Sequence, residues 1–389
     1  MLRTYKYLLR PKDEQTKQLD FLLWQSRLVY NLALEQRITT YRETGKGIGY
    51  RAQWSHFRDM RRENPEILGQ INSSSLQHLL RRLDKSFAAF FRHLKAGEKP
   101  GYPRFKSRNR FHSIEYTYGD GCKLRQDEHG CLSFYVQNVG EMRMCYHRAI
   151  PTDAEIKHAV VKRVADRWYV CLMLELPDPV KRQASAGQQA GIDIGLKSLA
   201  TLSSGELIEN PRWLRENLAV LRRLLRHASR QARGSGRLRK TYRQIARLHE
   251  RVANQRADYL HKVSARLVAE NDLIAIENIK LGFMNRNKHL SLSSHDAGFG
   301  LLRQMLEYKA EEAGIQVVAV NPSNTTQTCS GCGRLVPKSL SVRVHVCSDC
   351  GLVLDRDINA ARNILALALS NPLGRSGQAV TCPVGESVA

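Results

Sequence analysis

AGIDIGLKSLATLSSGELIEN, residues 190–210, reads as a strand, a turn and a second strand, the opening of a β-hairpin. Its unusual feature is Asp193, a carboxylate inside the apolar run GIDIG. Burying such a group is costly unless a cation or a metal pairs with it. Further along, the apolar run of DLIAIENIK (272–280) ends on Glu277, a helix is predicted over GFGLLRQMLEYKAEEAG (298–314), and IQVVAVNP (315–322) gives another strand. Strands and helices alternate here, the pattern of an α/β domain. After them Asp357 precedes INAARNILALAL, which reads as a helix.

Residues 212 to about 270 are predicted as a long helical hairpin broken at Gly-Ser-Gly. From Arg212 to Lys262 it carries fifteen Lys and Arg against Glu216, Glu250 and Asp258. Arg222, Arg223 and Arg226 on its first arm are candidate phosphate contacts; a merely solvated basic face is the alternative. Upstream, PDPVKRQASAGQQ (177–189) is a polar linker. Before it, SIEYTYGD, LSFYVQN, AVVKRV and RWYVCLMLEL within 111–178 predict a small antiparallel barrel or sandwich, resuming the strand character of TYKYLLRP (4–11). Residues 13 to about 95 show helical spacing, with Leu19, Leu22, Leu23 and Trp24, then Leu76, Leu79, Leu80 and Leu83. This block therefore reads as an insertion into the β-domain. The loop KAGEKPGYPRFKSRNR (95–110) interleaves aromatics with cations, so Tyr102, Arg104, Lys106 and Arg108 suit stacking plus phosphate contact, or else decorate a basic surface loop.

Composition sets the partner class. With 61 Lys and Arg against 37 Asp and Glu, the formal charge is +24, which points to a polyanion. No apolar run is long enough to span a membrane and the N-terminus lacks a secretory signal, so a cytoplasmic protein without membrane association is expected. Cys329, Cys332, Cys347 and Cys350 form two CxxC pairs separated by fourteen residues, each followed by Gly; this spacing predicts a tetrahedral structural Zn²⁺ site. His345 is a possible fifth ligand but reads better as an ordinary residue of the ribbon. Asp193, Glu277 and Asp357 are the candidate catalytic carboxylates, able to hold Mg²⁺ for phosphodiester hydrolysis. Each taken singly also fits a capped turn or an ion pair, and Asp355 competes with Asp357, one as ligand and the other as helix cap.

In this order, GIDIGLKSLA, AIENIK, SLSSHDAGFG, TCSGCG to VCSDCG and DRDINAARNI, with the GYPRFKSRN loop, closely resemble the TnpB (OrfB) proteins of bacterial insertion sequences. The resemblance favours Asp357 over Asp355. It implies a Mg²⁺-dependent, RNA-guided DNA endonuclease that makes double-strand breaks beside a short flanking motif, with a transposon-derived guide RNA and target DNA as partners and no obligate protein oligomer. The implied fold is α+β and multidomain: a wedge-like β-barrel (1–12 and 111–180), an inserted helical recognition lobe (13–110), an RNase H-like RuvC nuclease domain (188–324 and 353–368), an inserted zinc ribbon (325–352) and a flexible tail (369–389). A nuclease-inactive RNA-guided repressor and a DNA-joining transposase are the alternatives. Neither is favoured by a missing acid, since all three are present.

Overall fold

Alternation of apolar and polar residues builds the first half of the chain. A computed structural model describes residues 1–128, 130–178, 187–279, 281–339 and 341–370, so most of the expected linker and the expected flexible tail from residue 371 onward lie outside the described residues. The chain divides into two units, Met1–Asp178 and Pro179–Ala389. In the first, β1 (Leu2–Arg10) precedes three helices, α1 (Asp13–Thr44), α2 (Tyr50–Glu63) and α3 (Ser73–Lys95). Six strands follow: β2 (Ser113–Thr117), β3 (Cys122–Gln126), β4 (Leu132–Val136), β5 (Gly140–Cys145), β6 (Glu155–Val164) and β7 (Arg167–Glu175).

These strands form one antiparallel sheet in the order β2-β6-β7-β1-β5-β4-β3. β1 lies in its middle, so the chain leaves the sheet for the helices and then returns to it. No ladder between β2 and β3 closes this sheet into a barrel among the described residues. Tyr5, Tyr7 and Leu9 alternate inward with Val170, Leu172 and Leu174, and pack in one core with Leu19, Leu22, Leu76, Leu80 and Leu83 of the helices. Trp24 lies on α1 as its spacing predicts, but it is 42% exposed where the neighbouring leucines are buried. Asn72 caps α3 by accepting from the backbone N–H of Ser74 at 2.7 Å and of Ser75 at 3.3 Å.

The second unit contains β8 (Gln189–Asp193), β9 (Ser198–Leu202), β10 (Leu207–Glu209), α4 (Trp213–Glu216), α5 (Leu218–Ser229), α6 (Gly236–Glu270) and β11 (Leu273–Glu277). After them come α7 (Leu281–Arg286), α8 (Ser291–Ala297), α9 (Phe299–Ala313), β12 (Gln316–Val320), β13 (Val344–Val346), β14 (Val353–Asp355) and α10 (Arg356–Ser370). The main sheet runs β10-β9-β8-β11-β12, with β8, β9 and β10 an antiparallel meander and β8, β11 and β12 parallel. The predicted basic hairpin is α5 and α6, joined where Ser235 caps α6 by accepting from the Leu238 N–H.

A parallel strand covered by helices on both faces is apolar throughout, and β11 is buried at every residue. Its two faces meet different helices. Ile274 and Ile276 share a core with Leu260, Val263 and Leu267 of α6 and Leu302 and Leu306 of α9, whereas Leu273 and Ala275 pack with Ile364 and Ala368 of α10. In β8, Ala190 and Ile192 belong to the α6–α9 core. Gly191, on the opposite face, lets α10 approach: a Cβ there would lie 2.0 Å from the Ala361 carbonyl oxygen and 2.9 Å from Leu365 Cβ. Among the described residues no helix is long and apolar enough to cross a membrane. Gly191→Val should force α10 off the sheet and destabilise the second unit by about 1–3 kcal/mol. Denaturant unfolding followed by circular dichroism measures this, and wild-type stability in the variant would contradict the close approach.

Candidate active site

Strand parity places the first two carboxylates. In β11 the side chains of 273, 275 and 277 share a face, and in β8 those of 191 and 193, so Asp193 and Glu277 both lie on the α10 side of the sheet. β8 and β11 are adjacent and parallel, with Ile192 opposite Ile276, so each strand delivers its acid one residue later at the same edge. Asp357 comes from the first turn of α10, which starts at Arg356, two residues earlier than the sequence predicts.

Asp355 serves as the cap of that helix: its Oδ1 accepts from the backbone N–H of Asp357 at 2.8 Å and of Ile358 at 3.4 Å. That leaves the Asp357 carboxylate turned to other partners, namely Arg356 at 3.2 Å and Arg343 at 3.7 Å. Burial, and then the nearby charges of Glu277 and Asp357, push Asp193 up to about 7, with Arg356 opposing. Burial also raises Glu277, against the hydrogen bond it accepts from the Thr325 hydroxyl. Three carboxylates thus share one field, although their oxygens are not drawn together as tightly as the thiolates described next.

Among the described residues, ligand atoms converge within 4.8 Å of one another at two places: the four cysteines Cys329, Cys332, Cys347 and Cys350, and a trio in the first unit, His78, Glu115 and His158. The Cys329–Cys350 and Cys332–Cys347 Sγ separations are both 3.6 Å. A tetrahedron with metal–sulfur bonds of about 2.3 Å has edges of about 3.8 Å, so the cluster fits Zn²⁺. Backbone N–H groups of Cys350 and Asp349 lower the Cys347 thiol to about 7, which favours the thiolate that a metal needs. His345 is fully buried on β13, stands outside the thiol cluster and contacts Lys338 through Nδ1.

Three residues that the sequence reading gave no role join the two sites: Thr325, and Asn359 and Asn363 of the DRDINAARNI stretch. On α10, Asn359 donates to the Thr328 carbonyl at 2.7 Å and accepts from the Ser330 N–H at 2.9 Å. One turn later Asn363 donates to the carbonyls of Thr325 and Thr328. Thr325 in turn holds Glu277. Two asparagines four residues apart, and so on one face of α10, are the sequence signal of this grip.

Of the expected nucleic-acid contacts, Tyr102 is exposed and packs edge-on against Phe87 and Phe90; Arg104 and Arg108 are exposed; and Lys106 is half-buried, its backbone N–H bonded to Asn31. Arg222, Arg223 and Arg226 are exposed on α5.

The geometry first defines a class: an α/β unit with carboxylates at the carboxyl edge of its parallel strands, tied to a tetrathiolate ribbon. Comparison with known proteins narrows it. Family models match at residues 170–288 ("Probable transposase", OrfB of IS605), 299–364 ("Cas12f1-like, TNB domain") and 1–46 ("Helix-turn-helix domain"), although this last span folds as one strand and one continuous helix. A "Putative RNA-guided DNA endonuclease" of Streptomyces pristinaespiralis is 36% identical over 95% of this chain and 90% of its own. InsQ of Escherichia coli K12, of the same description, is 30% identical over 94% and 92%. The chain belongs to the TnpB (OrfB) family. A solved structure of Cas12f1 with single-guide RNA and target DNA resembles it in fold, with a TM-score of 0.61 at 17% identity over 93% of this chain and 84% of that one.

The raised Asp193 carboxyl makes a stability prediction. Its folded-state value exceeds the unfolded one, so its contribution is present in full below about pH 4 and is lost as pH rises through about 7. Without divalent ions, Asp193→Asn should therefore raise the melting temperature at pH 8 and do so much less at pH 5. A pair of thermal melts in chelator decides this, and an equal gain at both pH values would count against it.

Proposed function

We propose that the chain is an RNA-guided, Mg²⁺-dependent DNA endonuclease of an insertion sequence, with Asp193, Glu277 and Asp357 as its catalytic acids. The observation that carries this reading is the convergence of those three carboxylates at one end of the α10 face. The names of the relatives and the +24 charge support RNA and DNA as partners. The finer architecture belongs to the same proposal. The second unit serves as an RNase H-like RuvC domain, supported by a three-strand antiparallel meander followed by two parallel strands and a returning helix. Residues 1–12 and 111–180, which include the first sheet, are the wedge, residues 13–110 are the recognition lobe, and residues 325–352 are the zinc ribbon. Double-strand breaks at guide-matched sites beside a short motif are the expected product.

Asp193, Glu277 and Asp357 are the residues that would hold Mg²⁺, which when bound would supply positive charge to activate a water and stabilise the leaving oxygen. The chain's own residues arrange this. Asp193 ionises near neutral pH and is then available as a ligand. Thr325 fixes the rotamer of Glu277, and the Asp355 cap sets the first turn of α10 so that Asp357 faces the sheet edge. Arg356 and Arg343 balance the charge of Asp357 in the metal-free protein. The cysteine zinc supplies folding energy and takes no chemical part. Tyr102, Arg104, Lys106, Arg108, Arg222, Arg223 and Arg226 contact nucleic acid through stacking and phosphate pairing.

The test uses the protein purified with its RNA. Asp193→Ala and Asp357→Asn should each lower Mg²⁺-dependent cleavage of matched DNA by more than about 100-fold. Asp355→Ala should instead cost about 0.5–2 kcal/mol of stability and keep measurable cutting. Intact cleavage by Asp193→Ala would refute the assignment. Full wild-type binding to the element's ends after RNase treatment would favour a DNA-joining transposase, and guided binding by the wild type without any cutting would favour a repressor.

A further inference from the structure

The second convergence of ligand atoms lies far from this chemistry in sequence, in the first unit. Thr117 and Glu115 are two residues apart in β2 and share a face, and His158 of β6 pairs directly with Thr117 in the ladder, so it faces the same way. α3 packs along β2 and brings His78 to them. His78 Nε2 lies 3.0 Å from the Thr117 hydroxyl, and its Nδ1 lies 3.4 Å from Glu115 Oε1. The two imidazoles stand perpendicular with centroids 5.0 Å apart. His158 Nδ1 is buried and has no hydrogen-bond partner.

A His78–Glu115 pair bridged by a proton would leave that nitrogen unsatisfied, at a cost of about 1–3 kcal/mol. A shared cation satisfies all three groups at once. For a tetrahedral ion with nitrogen and oxygen ligands at about 2.0–2.1 Å, ligand–ligand edges are about 3.3–3.4 Å, matching the observed separation. The Thr117 contact is the outer hydrogen bond that fixes the tautomer of a ligating histidine with Nδ1 free to bind. Two imidazoles and one carboxylate suit Zn²⁺ rather than Mg²⁺.

We propose that His78, Glu115 and His158 form a Zn²⁺ site, completed by water on the partly exposed side of Glu115, that staples the inserted helix α3 to strands β2 and β6. The site is separate from the cysteine cluster and plays no part in hydrolysis.

Zinc measured by mass spectrometry on the full chain, produced with added Zn²⁺, should come to two equivalents. His158→Ala and Glu115→Gln should each remove one of them. Circular dichroism checks that the variants fold, and Glu115→Gln, a conservative change at a partly exposed position, guards against collapse of the histidine variant. In Co²⁺-loaded protein the thiolate charge-transfer band should be unchanged in both variants, showing that the lost equivalent is not the cysteine-bound one. Unchanged zinc content in the folded variants, or a single equivalent in the wild type held by the cysteines alone, overturns the site.

Discussion

Like charges do not gather unless something holds them, and in the second unit the holding is done by the contact between α10 and the sheet at Gly191. A side chain at that position would strike the Ala361 carbonyl. Because it is absent, the helix lies close enough for Asp357 to share a field with Asp193 and Glu277. Packing on both faces of β11 supplies the rigidity, since Ile274 and Ile276 are locked into one core and Leu273 and Ala275 into another. The repulsion among the acids is set against apolar burial around them, the usual arrangement where a site is built at the expense of local stability.

The thiolate cluster is mechanically joined to this site. Asn359 and Asn363 hold the segment from Thr325 to Ser330 against α10, and Thr325 holds Glu277. A disturbance at Cys329 therefore has a short covalent and hydrogen-bonded route to a carboxylate. The ribbon appears in sequence as a separate insertion, yet its first strand of chain is part of the wall of the acidic site.

Much of this was legible in the residues. Asp193 and Glu277 announced themselves as carboxylates in apolar strands, and the CxxC pairs declared a tetrahedral cluster through spacing alone. The alternation of strands and helices in the second unit, the basic hairpin at α5 and α6 and the helical block after β1 also followed from periodicity. Other features were hidden for physical reasons. Strand β3 buries only Cys122, β5 alternates over just Glu141 to Met144, and Trp24 follows a run of leucines while facing out. The cap role of Asp355 depends on backbone geometry at the start of α10, which two aspartates in Asp-Arg-Asp leave ambiguous. The His78, Glu115 and His158 trio depends on the register that pairs Thr117 with His158 and on the packing of α3 against β2, which no local pattern encodes.

The acids are also ordered in time. Asp193 leaves the ribosome first, Glu277 follows, and Asp357 arrives only with α10, the last described helix. Until that helix has emerged and docked, the sheet edge lacks its third carboxylate and the residues that grip the ribbon. A chain cut short anywhere before α10 would carry the basic helices α5 and α6 without a complete acidic cluster. Translation thereby delays assembly of the three-carboxylate cluster until the strands that carry its first two members have been made.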